Sequence, residues 1–311
     1  MTRLWSWWVA LLDRRETGEC LAAMRILAGL TILAIIVELV GQDLVDLLYV
    51  APEHGGYLAG ESSYWLMDAL GGATPRAVWG LVITSGVCGV CLVLGLGGRV
   101  AALVAGQCLL ALRGVNAYQG SYGALLSNGL WLCVLAQCDA TWSLTCRLRT
   151  GAWTSDAPVP AWPRMLGVFQ LVVLYVWTGL SKISAAWIGD FSALYYILQD
   201  PAWRRYDGAW VASVYRISQL FTGLVWIWEF TFPVILLQAY YRETGDRPGR
   251  VRAWFNRRDL RVPYAIVGVG THVTIGILMV VGPFVLATLI FYPCLFPPET
   301  WRRWLARLRS R

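Results

Sequence analysis

Runs of about 20 mainly apolar residues recur along this chain, and they restrict its possible folds more than any other feature of the sequence. An α-helix needs about 20 residues to cross the roughly 30 Å hydrocarbon core of a bilayer. Inside that core, every backbone N–H and C=O must be hydrogen-bonded within the protein. With 57% hydrophobic and 14% charged residues, the composition suits such an environment. We therefore predict an all-α fold, a polytopic integral membrane helical bundle.

Eight runs are predicted to be transmembrane helices, and turns at Gly97-Gly98 and Gly282-Pro283 separate the runs that adjoin one another. The predicted spans are residues 20–40, 76–96, 98–115, 122–138, 162–182, 217–240, 262–281 and 283–297.

Arginine residues sort between the two sides of these predicted spans. Nineteen of the 25 arginines lie in the N-terminal segment, near residue 99, in the 139–164 and 241–261 loops, and at the C-terminus. Loops rich in arginine face the cytoplasm, so we predict that both termini are cytoplasmic. The acidic segment 38–68 and the aromatic-rich segment 183–215 then lie outside.

The domain organisation predicted from these patterns is that of a multi-pass protein of the inner (cytoplasmic) membrane. Residues 1–19 lack a cleavage site and are predicted to be an N-terminal interfacial segment. Residues 20–299 form the transmembrane domain, and residues 300–311 form a basic cytoplasmic tail. The net charge of +7 is explained by topology and by contact with membrane lipids, so we expect no nucleic-acid partner. The oligomeric state is left open.

The eight cysteines lie in or beside apolar runs and are predicted to be packing residues. Cys88 and Cys91 have the spacing of a metal or redox pair, but neither a second pair nor a histidine is near them in the sequence. His54 and His272 are the only histidines and have no adjoining carboxylates. We therefore predict no metal site.

Ionisable residues inside predicted spans are the first candidates for function, because each costs about 2.5 to 3.5 kcal/mol at a helix centre. Lys182 is the only lysine in the chain and lies at the outer end of the fifth predicted span. A desolvated amine loses its proton more readily and acts as a general base, whereas a guanidinium stays protonated. The alternatives are that Lys182 snorkels or pairs with Glu229, and that the arginine bias reflects a GC-rich genome. The five candidates are Arg25, Arg113, Lys182, Glu229 and His272.

Further residues are grouped with Lys182 by spacing or by position. Tyr175, Gly179 and Lys182 share one helix face, and Gly179 would let another helix or a substrate approach. His272 lies near the middle of the seventh predicted span, where it either takes part in catalysis or satisfies a neighbour's hydrogen bond. Asn116 either binds a polar head group or caps a helix.

Glu229 is the only charge in the sixth predicted span, one turn before Pro233. It either holds and polarises Lys182 or forms a structural ion pair with Arg25 or Arg113. The spacing of the residues leaves both interpretations open.

Five segments, taken in order, resemble the horizontally transferred transmembrane domain (HTTM) family, which is related to the membrane core of vitamin K-dependent gamma-carboxylase. The resemblance extends from about residue 20 to residue 299. The segments are AMRILAGLTIL; NAYQGSYGALL with the later CDATWSL; YVWTGLSKISAAWIGDFSALYY; TGLVWIWEFTFPVIL; and THVTIGILMVVGPFVLATLIFYPCLFPP.

The resemblance implies that Lys182 occupies the position of the carboxylase's catalytic base, which deprotonates vitamin K hydroquinone so that oxygen attack leads to an epoxide. Trp187 follows the lysine here as a tryptophan does in the carboxylase, while Ser181 replaces the first of two lysines. Tyr118 is the nearest match to a histidine that the carboxylase carries in its outer fourth-span segment.

These expectations together describe a membrane enzyme of carboxylase or epoxidase type, in which Lys182 is the base and Glu229 and His272 tune or orient it. The expected substrate is a reduced quinone that reacts with oxygen, or a secreted peptide presented by a partner protein. The alternatives are a non-enzymatic lipid or small-molecule binding or transport protein, and a scaffold subunit of a peptide-maturation complex. The predicted substrate-binding residues are Arg25, Asn116, Tyr118, Tyr175, Gly179 and Trp187.

Overall fold

The computed structural model of the chain describes residues 5–6, 9–10, 12–57, 64–116 and 122–309. Most of the backbone in these ranges is helical, and the only sheet among them is a two-stranded antiparallel pair, which confirms the predicted all-α fold. The strands are β1 (Arg15–Glu16) and β2 (Val159–Pro160). Three 3₁₀-helices occupy Pro52–His54, Gly208–Val214 and Tyr292–Leu295. The α-helices, in chain order, are α1 (Glu19–Gly41), α2 (Leu44–Tyr49), α3 (Trp65–Ala69), α4 (Pro75–Leu94), α5 (Gly98–Val115), α6 (Tyr122–Leu135), α7 (Leu144–Thr150), α8 (Trp162–Ser181), α9 (Ala185–Ile188), α10 (Ala193–Gln199), α11 (Tyr215–Thr231), α12 (Val234–Glu243), α13 (Arg250–Arg257), α14 (Arg261–Leu278), α15 (Phe284–Leu289) and α16 (Pro298–Arg309).

Five of the described helices, α1, α4, α5, α8 and α14, are long and apolar enough to cross a membrane. The segment Gly208–Thr231 and α12 form a sixth candidate that is bent by 41° at its break. Two further apolar stretches, Tyr122–Leu135 and Phe284–Leu295, are shorter. These helices support a multi-pass membrane protein, while the count of eight crossings stays a prediction.

The chain divides into two compact units, of which the first contains Met1–Gly167 and Leu286–Arg311 and the second contains Val168–Val285. In the first unit, α1 packs against α4, α4 against α5, and α6 against both α5 and α1. Gly29 lets α1 approach α4 closely, because a Cβ at Gly29 would lie 2.7 Å from the carbonyl oxygen of Gly89. Small residues at helix contacts are typical of proteins that pack in lipid.

Arg25 joins several elements of the first unit and is completely buried. Its Nη1 donates to the carbonyls of Leu92 and Val93 at the C-terminal end of α4, where the helix leaves acceptors free. Its Nε donates to the Cys138 carbonyl at 3.0 Å, and its Nη2 to the Trp142 carbonyl at 2.8 Å. The guanidinium thus ties α1 to the end of α4 and to the segment that follows α6.

The second unit contains a break between α11 and α12 at Pro233. Proline has no N–H to donate to the carbonyl of Glu229, four residues earlier. The N–H of Phe232 takes that acceptor at 3.2 Å, so the carbonyl stays hydrogen-bonded. Elsewhere in this unit, Arg204 forms an isolated antiparallel bridge with Met279, which attaches the segment before α11 to the end of α14.

The basic C-terminal segment is helical and packs within the first unit. Arg302 in α16 pairs with Glu19 at 2.6 Å and also with Asp156.

Five residues of the N-terminal interfacial segment, 5–6, 9–10 and 12, are described as helical. All eight cysteines lie in the described ranges as free thiols, and all except Cys91 are buried, consistent with packing.

Replacing Arg25 with glutamine should destabilise the protein, because four buried or half-buried contacts to carbonyls lose their charged donor. We expect the free energy of unfolding to fall by about 3 kcal/mol or more. Arg99→Gln is the matched control, since Arg99 is exposed and donates to the Val134 carbonyl at 2.8 Å. Thermal unfolding of the purified protein in detergent measures both variants. Equal shifts of the two unfolding midpoints would contradict a central role for Arg25.

Candidate functional site

Lys182 and Glu229 form a close ion pair in the second unit. Lys182 directly follows α8, and its N–H donates to the carbonyl of Gly179 at 3.3 Å. Its Nζ donates to both carboxylate oxygens of Glu229 in α11. The two side chains are 20% and 9% exposed, so the carboxylate is buried while the amine keeps some access to the surface.

Gly179 determines how closely α11 approaches the end of α8. A Cβ at this position would lie 3.2 Å from the backbone nitrogen of Phe230 and 3.4 Å from the Cβ of Glu229. The indole Nε1 of Trp226 also donates to the Gly179 carbonyl at 3.2 Å. The missing side chain therefore brings Glu229 within reach of Lys182.

An aromatic ring covers part of the Lys182 amine. The Nζ atom lies 5.0 Å from the ring centroid of Trp187 in α9. Such cation–π contacts contribute about 0.5 to 2 kcal/mol, depending on how far the cation is desolvated. Lys182 therefore has both an anionic partner and an aromatic partner, and its remaining exposed surface is the part that a substrate can reach.

Tyr175 and His272 form a second buried polar pair in the same unit. The Tyr175 hydroxyl lies 2.8 Å from Nε2 of His272, and the two residues are 3% and 4% exposed. The Tyr175 ring packs on Trp228 and Phe232, with centroids at 4.4 and 4.6 Å. His272 in turn packs against Phe284, with centroids at 5.6 Å.

Thr178 lies on α8 between Tyr175 and Lys182, and it was not among the residues predicted from the sequence. Its hydroxyl donates its single hydrogen to the Tyr175 carbonyl at 3.1 Å and lies near the Glu229 carboxylate. The charge of Lys182 also acts on the His272 ring. The sequence did contain a signal for Thr178. It is a polar residue three positions after Tyr175 and four before Lys182, so helical periodicity places it on the same side as both.

The other predicted site residues belong to the first unit. The carbonyl contacts of Arg25 are described above. Asn116 is 6% exposed and ends α5, where its N–H donates to the Leu112 carbonyl at 3.1 Å. Tyr118 lies outside the described residues. The substrate-binding roles of Arg25, Asn116 and Tyr118 stay predictions.

Among the described residues, no group of three His, Cys, Asp or Glu side chains is placed to hold a metal ion. The polar groups near Lys182 are instead arranged in pairs, each with a hydrogen-bond donor facing an acceptor. Paired groups of this kind are suited to binding a polar substituent and to moving a proton.

Comparison with known proteins gives one family. The family model described as HTTM domain matches residues 14–244, about three quarters of the chain. The matched range contains Tyr175, Gly179, Lys182, Trp187 and Glu229, and it ends before His272. No significant match was found among curated proteins or among solved structures.

Adding a methyl group at Gly179 should separate α8 from α11. Gly179→Ala forces the new Cβ against the Phe230 backbone, which costs about 1 to 3 kcal/mol of unfolding free energy. Gly270→Ala is the control in the same unit, because a Cβ there meets nothing within 4 Å. In that exposed helical position we expect about 1 kcal/mol of stabilisation from helix propensity. Thermal unfolding compares the two, and equal effects would contradict the close approach at Gly179.

Proposed function

Because the chain belongs to the HTTM domain family, we propose that it is a membrane enzyme related to vitamin K-dependent gamma-carboxylase, with Lys182 as general base. The observation that carries the proposal is the contact of Nζ with both carboxylate oxygens of Glu229. This pair joins the only lysine of the chain to a buried acid at a partly open position.

The ion pair can supply a neutral amine without leaving a net charge in the site. Moving one proton from Nζ of Lys182 to the Glu229 carboxylate gives an uncharged amine and an uncharged carboxylic acid. A low dielectric favours uncharged forms, so burial lowers the cost of this transfer. The neutral amine is then a general base. An arginine at residue 182 would pair with Glu229 equally well but would keep its proton.

The base accepts a proton from the substrate in the next step. A substrate hydroxyl, or another acidic group, gives its proton to the Lys182 amine and becomes an anion beside the new ammonium. Glu229 keeps the first proton, so the site and substrate together stay neutral. The Trp187 ring stabilises the ammonium form.

Tyr175 and His272 would orient the substrate and hold its polar groups. Their hydrogen bond is enclosed by aromatic rings, so the pair places polar atoms in otherwise apolar surroundings. The Thr178 hydroxyl lies near the Glu229 carboxylate on the α8 side. The proposed catalytic residues are Lys182, Glu229 and His272. The proposed binding residues are Tyr175, Gly179 and Trp187.

A reduced quinone is the substrate class that best fits the aromatic surroundings of Tyr175 and His272. Its ring suits the aromatic side chains, and its hydroxyl is the acidic group that an amine deprotonates; oxygen would supply the oxidising power. A secreted peptide presented by a partner protein is the second substrate class within the same base mechanism. Both substrates reach Lys182 from the outer side if the predicted topology holds.

The finer topology is also proposed: eight crossings in the cytoplasmic membrane, with both termini inside. Its support is the concentration of arginine around α13 and α16. The segment 183–215 beyond Lys182 is richer in aromatic side chains, as expected at a membrane interface.

Changing Lys182 to arginine tests the base role directly. We expect oxygen-dependent turnover of a reduced naphthoquinone by the purified protein to fall by about 10² to 10⁴-fold, because the guanidinium cannot accept the proton. Lys182→Ala should lose a similar factor. The arginine variant keeps the ion pair to Glu229, so its unfolding midpoint should stay nearer to that of the unaltered protein. Full turnover by Lys182→Arg would eliminate Lys182 as the base.

Thiol labelling tests the topology. Ala212 and Asp246 are both exposed and lie on opposite predicted sides. A membrane-impermeant maleimide applied to spheroplasts should label Ala212→Cys, and it should label Asp246→Cys only after permeabilisation. The unaltered protein is the control, because its cysteines are buried except for the half-buried Cys91. The reverse pattern would place both termini outside.

A further inference from the structure

An open apolar groove runs along α5 and α6 in the first unit, and the proposed catalytic chemistry does not use it. The space along its walls, counted together with the open region outside its mouth, is about 580 Å³. Side chains of α1, α4, α5 and α6 line it, and most of them are aliphatic. Its apolar wall includes Ile35, Leu39, Leu109, Leu126 and Leu130.

The groove continues into a second hollow along the same two helices. Gly106, Ser127 and Leu130 line both hollows, so the two are contiguous. On α5 the combined groove extends from Arg113 to Ala102. At 1.5 Å per residue, this stretch of helix is about 16 Å long. That length matches one leaflet, which is half of the roughly 30 Å hydrocarbon core.

One end of the groove is polar and positively charged. Arg113, in the last turn of α5, lies there beside Tyr122 at the start of α6. The Arg113 guanidinium also lies close to Gly123, since a Cβ built there would be 3.3 Å from Nη1. Glu38 is exposed and acts on Tyr122, but among the described residues no ion pair joins it to Arg113.

We infer that this groove binds one membrane phospholipid, with its phosphate on Arg113 and Tyr122 and one acyl chain lying between α5 and α6. An arginine in a membrane helix is costly, and a phosphate offsets that cost through charge-assisted, bidentate hydrogen bonds. A neutral quinone carbonyl offers no charge to Arg113. The apolar length beyond the arginine fits the hydrocarbon chain that a phospholipid brings with its phosphate.

Two variants test the two ends of the binding site separately. Arg113→Gln removes the charge that holds the phosphate. Gly106→Leu fills the groove at the junction of its two hollows, where a new Cβ would meet only Leu130 Cδ1, at 3.9 Å. Leucine also favours the helix more than glycine, so this variant should fold. Gly106→Ala adds little volume and is the matched control, and Arg216→Gln is the control for an exposed arginine elsewhere.

Native mass spectrometry of the full-length protein, titrated with phosphatidylglycerol of one acyl composition, measures the bound lipid. The unaltered protein and both controls should retain one lipid after detergent exchange. Arg113→Gln should bind it about fivefold more weakly, as expected for one arginine near a membrane surface. Gly106→Leu should lose it by at least that factor.

The outcomes separate this inference from the proposed function. If Arg113→Gln and Gly106→Leu both bind phosphatidylglycerol like the unaltered protein, the groove is not a phospholipid site. Displacement of the lipid by a reduced naphthoquinone at the same groove would equally overturn the inference. Lys182→Arg should bind phosphatidylglycerol normally, because Lys182 does not line the groove.

Discussion

The absence of water from the bilayer core is the constraint on which the rest of this structure depends. A charged or polar group placed there must find its partner within the protein, or it costs several kcal/mol. Arg25 satisfies this requirement with four backbone carbonyls, and Lys182 satisfies it with one carboxylate. The Tyr175 hydroxyl and Nε2 of His272 satisfy it with each other. These four side chains therefore also join separate parts of their own units.

Arg25 and Lys182 both need partners because a charge in the bilayer core is costly, but their side chains differ in what they can do. The guanidinium of Arg25 has donors that point in several directions, so it can hold a helix end and a following segment together. It stays protonated, which makes it a durable structural link. Lys182 carries a compact ammonium, a group that unlike a guanidinium can give up its proton. The same demand for a partner therefore produces a link to backbone carbonyls at Arg25 and an ion pair with a titratable amine at Lys182.

Glycine sets the distances at which these partnerships form. At Gly29 the backbone of α4 comes close enough for α1 to pack on it, and at Gly179 the backbone of α11 reaches the end of α8. Neither position requires glycine for its backbone angles. Both require it because a side chain would occupy the space that the neighbouring helix uses. The ion pair at Lys182 therefore depends on a residue that has no side chain.

The sequence alone determined the all-α membrane fold, because only helices or closed barrels satisfy a backbone in lipid, and the apolar runs have helix length. Helical periodicity also grouped Tyr175, Gly179 and Lys182 on one face, and the amine at residue 182 stood out against 25 arginines. Only the tertiary structure decided which polar side chains contact one another. Glu229 had two possible kinds of partner in the sequence, and the structure pairs it with Lys182. Two further sets of contacts also join residues from different elements. They are the hydrogen bond between Tyr175 and His272 and the bonds from Arg25 to backbone carbonyls. Such pairings depend on distances between helices, which side-chain periodicity within one helix does not contain.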